Sequence, residues 1–219
     1  MANKRLPRII TQPEFEKLFE ATKNKEYKLA MLLGFEAGMR ISEIIGFANA
    51  GSRCCDAPLT YLKVTDRGYF KRKPFACSKC GQTLKYKDIY RNIKFGYKVE
   101  PLNKSNIDLN RHSITIIGKG NKQRIVPLPK RFNTSALAML PIKASRRALQ
   151  WHVTKLGKTI LQKGISFHTL RHGFASYLIN KGRPLNEIQM FMGHSRLDVT
   201  GIYLHADPQN AVNKARDVF

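Results

Sequence analysis

Between Ser166 and Asp207 the chain reads SFHTLRHGFASYLINKGRPLNEIQMFMGHSRLDVTGIYLHAD. His168 and Arg171 are three apart, one turn on a helical face. His194 follows Arg171 by 23 residues, and Tyr203 follows His194 by nine. The two histidines and the arginine can donate to phosphate oxygens, and Tyr203 can serve as a nucleophile, with an ordinary pKa near ~10. A phenol that attacks phosphorus near neutral pH needs help losing its proton and a cationic cage for the charge that develops. This stretch carries both. Taken singly, each residue type is more often structural, so the signal lies in the joint pattern. His168 and His172, four apart, also invite a zinc-hydrolase reading. That pattern requires Glu after the first His, and the position holds Thr169, so the reading is set aside.

The rest of the chain must position these groups on a polyanion. Among 219 residues, 39 Lys and Arg face 15 Asp and Glu, a net charge of +24 and a pI near 10.2. Internal pairing cannot neutralise such an excess, and nucleic acid is the favoured partner. A membrane partner is disfavoured, because no apolar run approaches the ~20 residues of a spanning helix. The opening MANKRLPRII lacks the apolar core of a signal peptide. Four cysteines without a secretory signal suggest a reducing compartment, where they read as metal ligands before disulfides. The expected location is cytoplasmic and nucleoid-associated. The length suits one well-cored domain with an insertion, or two small domains.

In chain order, Thr11 and Glu14 form a capping box ahead of a first helix with Phe15, Leu18 and Phe19 on its apolar face. A second helix is expected from about Glu26 to Glu36. Ala37-Gly38-Met39 breaks the chain before a short third helix that carries Arg40, Ser42 and Glu43 over a buried side of Ile41, Ile44 and Ile45. Ile114–Ile117 and Ile125–Leu128 read as a hairpin whose glycine-rich connection exposes Lys119 and Lys122. Ser145 is expected to cap a long helix through about Gln162, followed by helices over His168–Asn180 and Pro184–Met192 and a last short helix with Tyr203.

Residues 48–100 differ in composition, with twelve basic against four acidic residues and eight aromatics. Lys71, Arg72 and Lys73 form a basic run there, and with Lys122 and Arg124 of the hairpin they are candidate DNA contacts. All four cysteines fall in this segment. Cys77-Ser78-Lys79-Cys80-Gly81 has the form of a zinc knuckle. Cys54 and Cys55 are unusual partners, because adjacent side chains diverge on an extended strand. A structural Zn²⁺ held by Cys54, Cys55, Cys77 and Cys80 is the leading reading. A site using one of the adjacent pair with another ligand, or no metal, is the alternative.

The blocks AGMRISEIIGF, ITIIGKGNKQRIVPL, FHTLRHGFASYLINKG and MGHSRLDVTGIYLHA, in this order, resemble the tyrosine recombinase (phage integrase, Xer-like) family. The resemblance runs from about Leu6 to Ala206 outside the insertion. It implies a mainly α fold with a small antiparallel β-sheet (α+β), namely the family's catalytic domain over 1–47 and 101–219 with a β-rich, zinc-ribbon-like module inserted at 48–100. It implies site-specific cutting and rejoining of double-stranded DNA through a 3′-phosphotyrosine, with no metal or nucleotide needed for catalysis, and self-association into a tetrameric synapse. Carried over position by position, Arg40 and Arg171 clamp the phosphate and Lys119 is the hairpin lysine. His168 and His194 are the two histidine-class positions, Tyr203 is the nucleophile and Glu43 is the supporting acid, placed to orient His168 or an arginine. Most family members carry a helical DNA-clamping domain ahead of this one, whereas about ten residues precede the first helix here. A fragment and a minimal integrase are the two expectations that follow. Two rival functions use the same fold: a type IB topoisomerase-like nicking-resealing enzyme, and a non-catalytic DNA-binding accessory protein. The second predicts loss of a catalytic position, and none is lost.

Overall fold

The computed structural model describes residues 9–49, 53–54, 57–61, 75–77, 83–84, 97–118 and 123–193. The chain divides into two compact units, 1–46 with 100–219 and 47–99. The first is mainly helical with one small antiparallel sheet.

In the larger unit, α1 (Gln12–Ala21) opens on the expected capping box. The Thr11 backbone N–H donates to Glu14 Oε2 at 2.9 Å, and the Glu14 N–H donates back to Thr11 Oγ1 at 3.4 Å. α2 (Lys25–Glu36) starts with its Tyr27 N–H on the Asn24 side chain and is buried from Leu29 to Phe35. A helix apolar all round must lie in the core. α2 packs on α6 (Phe167–Asn180) through reciprocal glycines. A Cβ on Gly34 would lie 2.9 Å from the Phe167 ring, and one on Gly173 would lie 2.6 Å from Phe35. The two backbones therefore approach closely, which fixes α6 against the turn that follows α2.

That turn leads through Gly38, whose φ of +62° suits the left-handed region, to α3 (Ile41–Ile45). Further along come a short helix α4 (Thr134–Ala138), which the sequence reading did not include, and α5 (Arg146–Ile160), capped by Ser145 as expected. α6 ends at Asn180, and α7 (Leu185–Met192) stops at Gly193 in the left-handed conformation. Ile188 and Met192 are fully buried against Phe174 and Ala175, which docks α7 on α6. Each such side chain contributes roughly 1.5–3 kcal/mol. The main core joins α1, α2, α3, α5 and α6 to the sheet through Phe15, Leu33, Ile44, Ile114, Leu149 and Leu170.

The larger unit's sheet is three-stranded and antiparallel in the order β7 (Ile107–Asp108), β8 (Ser113–Ile117), β9 (Gln123–Pro127). In β8 and β9, Ile114 pairs with Val126 and Ile116 with Arg124 on the core side, while Ile117 and Ile125 are exposed. Just beyond β9, Arg131 ties the sheet to both first helices, donating to Glu16 and Glu36 with its guanidinium 4.5 Å from the Phe19 ring centroid.

In the smaller unit, β1 (Phe47–Asn49) pairs antiparallel with β6 (Tyr97–Val99), so the segment leaves and returns on adjacent strands. A four-stranded antiparallel sheet lies between them in sequence: β2 (Arg53–Cys54), β3 (Ala57–Tyr61), β4 (Phe75–Cys77) and β5 (Thr83–Leu84). Cys54 pairs with Ala57 and Cys77 with Leu59, so the strands bearing these cysteines flank β3.

Candidate active site

Glu43 sits one turn into α3, with its side chain only 2% exposed. Its burial follows from Ile41 and Ile44, which draw this short helix into the core. Burial alone raises a carboxyl pKa, but here it is outweighed by the forked hydrogen bond and charge of Arg124, then by Arg40, and the pKa is held down to about 2. Oε1 accepts from Arg124 Nη1 at 2.8 Å and from Arg40 Nη1 at 2.9 Å. Oε2 accepts from Arg124 Nη2 at 2.7 Å and from the Arg40 backbone N–H at 2.7 Å. Of the two kinds of partner expected for Glu43, His168 or an arginine, its carboxylate oxygens here accept from two arginines, Arg40 and Arg124.

Arg40 is the N-cap of α3, and its side chain remains 34% exposed. Its guanidinium is pinned by Glu43 on one side and reaches the Met192 carbonyl at 3.4 Å on the other. Arg171, in the first turns of α6, is buried and donates to the carbonyls of Gly38 and Met192. The left-handed turn at Gly38 thus aims a carbonyl at one arginine while it delivers the next, Arg40, to the same place. Both converge on the C-terminal end of α7, where unpaired helix carbonyls and the negative end of the helix dipole attract cations. The next residue after the Gly193 cap is His194.

His168 faces solvent one turn before Arg171, with its ring 6.2 Å from that of His172. Partial desolvation, then the positive charges of Arg171, Arg40 and Arg146, hold its pKa below the usual histidine value. His168 is therefore neutral near pH 7 and able to accept a proton. His172 is held lower still, at about 4, by burial first and then by the charges of His168 and Arg171.

Arg124 departs from expectation. The sequence reading placed it among DNA contacts, but its side chain is 8% exposed, with Nε on the Phe191 carbonyl at 2.8 Å and both Nη atoms on Glu43. The strand register explains this. Arg124 shares the inward face with Val126, and an inward arginine must find a carboxylate. The alternation of Arg124-Ile125-Val126 was the available signal.

Sequence reasoning also passed over the exposed face of α5. Arg146, Arg147, Trp151 and Lys155 lie along it, Trp151 is 61% exposed, and Lys155 Nζ is 4.9 Å from the indole centroid. An exposed tryptophan among cations was the signal there. Lys119, Lys122, His194, Tyr203, Lys71, Arg72, Lys73, Cys55 and Cys80 lie outside the described residues, and Cys54 and Cys77 are described by strand pairing alone. Among the described residues there is no cluster of three or more His, Cys, Asp or Glu able to hold a metal ion, and no helix long and apolar enough to cross a membrane.

Residues 139–210 match the phage integrase family. The chain is 36% identical over 123 residues to the tyrosine recombinase XerD of Pasteurella multocida (strain Pm70), covering 46% of this chain and 41% of that protein. It is 31% identical over 127 residues to the tyrosine recombinase XerC of Pseudomonas fluorescens (strain Pf0-1), covering 50% and 42%. The chain thus spans less than half the length of these curated relatives. Its fold is shared with the crystal structure of XerA recombinase, at a TM-score of 0.59 and 18% identity over 98% of this chain and 66% of that one. It is shared also with XerH site-specific recombinase bound to palindromic difH substrate in a post-cleavage complex, at 0.54 and 19% over 96% and 53%.

Proposed function

We propose that the protein is a site-specific DNA recombinase of the tyrosine type, which breaks and rejoins DNA strands through a 3′-phosphotyrosine. The observation that carries this reading is the convergence of Arg40, steadied by Glu43, and Arg171 on the Met192 carbonyl at the end of α7, two residues before His194, with His168 one turn before Arg171.

In the proposed reaction Tyr203 Oη attacks the scissile phosphorus as its proton passes to His168. The bond from phosphorus to the 5′ oxygen breaks, and Lys119 gives that oxygen a proton. Arg40, Arg171 and His194 offset the extra charge on the non-bridging oxygens of the five-coordinate transition state. The phosphodiester energy is kept in the phosphotyrosine, so rejoining by a 5′ hydroxyl balances without nucleotide or metal. Lys122, Lys71, Arg72 and Lys73, with the basic face of α5, would hold the duplex through its phosphates. Exchange of strands requires a second duplex, for which a tetrameric synapse of this chain is the natural assembly.

Within 48–100, four thiolates from Cys54, Cys55, Cys77 and Cys80 would suit one structural Zn²⁺, tetrahedral and closed to substrate. The pairing of β2 and β4 with the same strand brings two of these positions into one small sheet. Metal analysis of purified protein near one zinc per chain, with Cys77→Ser plus Cys80→Ser abolishing it, supports the site. Four freely titrating thiols and no zinc would rule it out.

The function is tested with a library of nicked duplexes of randomised sequence. The wild-type protein should capture a subset as SDS-resistant adducts, with the nucleotide mass on Tyr203. Tyr203→Phe should bind the same DNA and give no adduct. An adduct that persists in that variant would remove Tyr203 from the role of nucleophile.

A further inference from the structure

Arg124 occupies a place where three elements of the candidate site meet. It lies on the inward face of β9, forks onto Glu43 of α3 at 2.8 and 2.7 Å, and donates from Nε to the Phe191 carbonyl of α7 at 2.8 Å. Gly193 closes the contact, since a Cβ there would lie 3.0 Å from Arg124 Cδ. Arg40 also reaches both α3 and α7, but its side chain is 34% exposed and its bond to the Met192 carbonyl is longer, at 3.4 Å. A buried fork of this kind is rigid, because a displaced member would leave a charge without a partner.

We infer that Arg124 is a positioning residue for strand cleavage: it sets Arg40, through Glu43, in register with the end of α7 that leads into His194. It does not contact DNA. The connection between β8 and β9 carries Lys119, so the same strand that bears Arg124 ends the hairpin of the leaving-group acid. One guanidinium therefore ties the clamp, the hairpin and the chain toward the nucleophile to a common frame. Misplacement of a reacting group by about 1 Å lowers rate by ~100-fold without weakening ground-state binding. The inference rests on the breaking-rejoining function for its kinetic arm and on geometry alone for its second arm.

The test uses the full chain and a nicked duplex captured from the randomised library. Arg124→Lys keeps the charge but cannot make the fork and the Nε bond together. Cleavage at saturating DNA should fall by roughly 10- to 100-fold, while the half-saturating DNA concentration stays within about twofold. In the free protein, amide exchange at Phe191–Gly193 should quicken by at least ~10-fold, with the α2 amides unchanged. Should Arg124→Lys fail to fold, the pair Glu43→Gln with Arg124→Met removes both buried charges and takes its place, with the same expected loss at saturation. A variant that cleaves normally at saturation but needs more DNA would overturn the inference and return Arg124 to the DNA contacts. Unchanged exchange at Phe191–Gly193 would overturn it as well. If the wild-type protein captures no duplex, the proposed reaction fails, and the exchange measurement alone decides the positioning role.

Discussion

Arg124 and Glu43, 81 residues apart in the chain, meet fork to fork with both oxygens engaged and side chains 8% and 2% exposed. The pairing makes stability depend on pH in a defined direction. Glu43 has a folded pKa of about 2 against an ordinary 4.5. A depressed carboxyl pKa stabilises the fold above the unfolded value, and that contribution is lost as pH falls from about 4.5 toward 2. A shift of this size corresponds to roughly 3 kcal/mol. Glu43→Gln should therefore melt well below the wild type at pH 7, and the gap should narrow steadily on acidification below pH ~4.5. A gap that stays constant down to pH ~2.5 would show that Glu43 is not held ionised by the arginines.

His168 gives a second pH dependence, in the rate. If its neutral form takes the tyrosine proton, single-turnover cleavage should fall as pH drops through its lowered pKa, with a midpoint below the ordinary 6.5. Arg146 is exposed on α5 and contributes to that depression, so Arg146→Ala should move the acid limb upward in pH without altering the melting temperature. An acid limb that does not move would assign it to a group other than His168.

How far the sequence could be read depended on whether the information was local. The capping box at Thr11, the Ser145 cap, the break at Gly38 and the apolar side of α3 were legible because each is set by residues within one turn. So was the hairpin, from its glycines and alternation, although the described strands are 113–117 and 123–127. The second helix begins at Lys25, where the Asn24 cap places it, one residue before the expected start. The short helix α4 carries little periodicity in five residues, and only its Asn133 cap announces it. What could not be read was partnership across the fold. In the string GNKQRIVPL Arg124 looks like any basic residue near a hairpin tip, and only its register on β9, on the inward face with Val126, reveals its burial. Nor does any local pattern reveal that the carbonyls at the end of α7 accept Arg40, Arg171 and Arg124 together.

Trp151 is the chain's single tryptophan and stands 61% exposed on the basic face of α5. DNA binding should therefore change its fluorescence directly. Trp151→Ala should weaken DNA binding by about 10-fold, equivalent to ~1.4 kcal/mol, and leave the melting temperature unchanged. Binding should also weaken steeply between about 50 and 200 mM salt, because phosphate contacts release counterions. An indole signal indifferent to DNA would move the duplex off this face.

Gly38 joins two requirements in one residue. Its φ of +62° is poorly tolerated by a side chain, and a Cβ would lie 2.4 Å from the Phe174 ring. Its carbonyl also accepts from Arg171. Gly38→Ala should therefore act on stability and on the site together. The backbone strain costs about 1–2 kcal/mol, and relief of the ring clash must displace Phe174, which packs with Ile188 and Met192 beneath α7. A displaced α7 moves the Met192 carbonyl that Arg40 and Arg171 share. The melting temperature should drop by several degrees, since 1 kcal/mol shifts a domain of this size by about 2–4 °C. Cleavage at a temperature where the variant is fully folded should still be reduced by at least ~10-fold, with DNA affinity nearly unchanged. The two readouts separate the effects. A variant that melts early but cleaves at the wild-type rate when folded would mean that the Gly38 turn serves stability alone and that Arg171 holds its place without it.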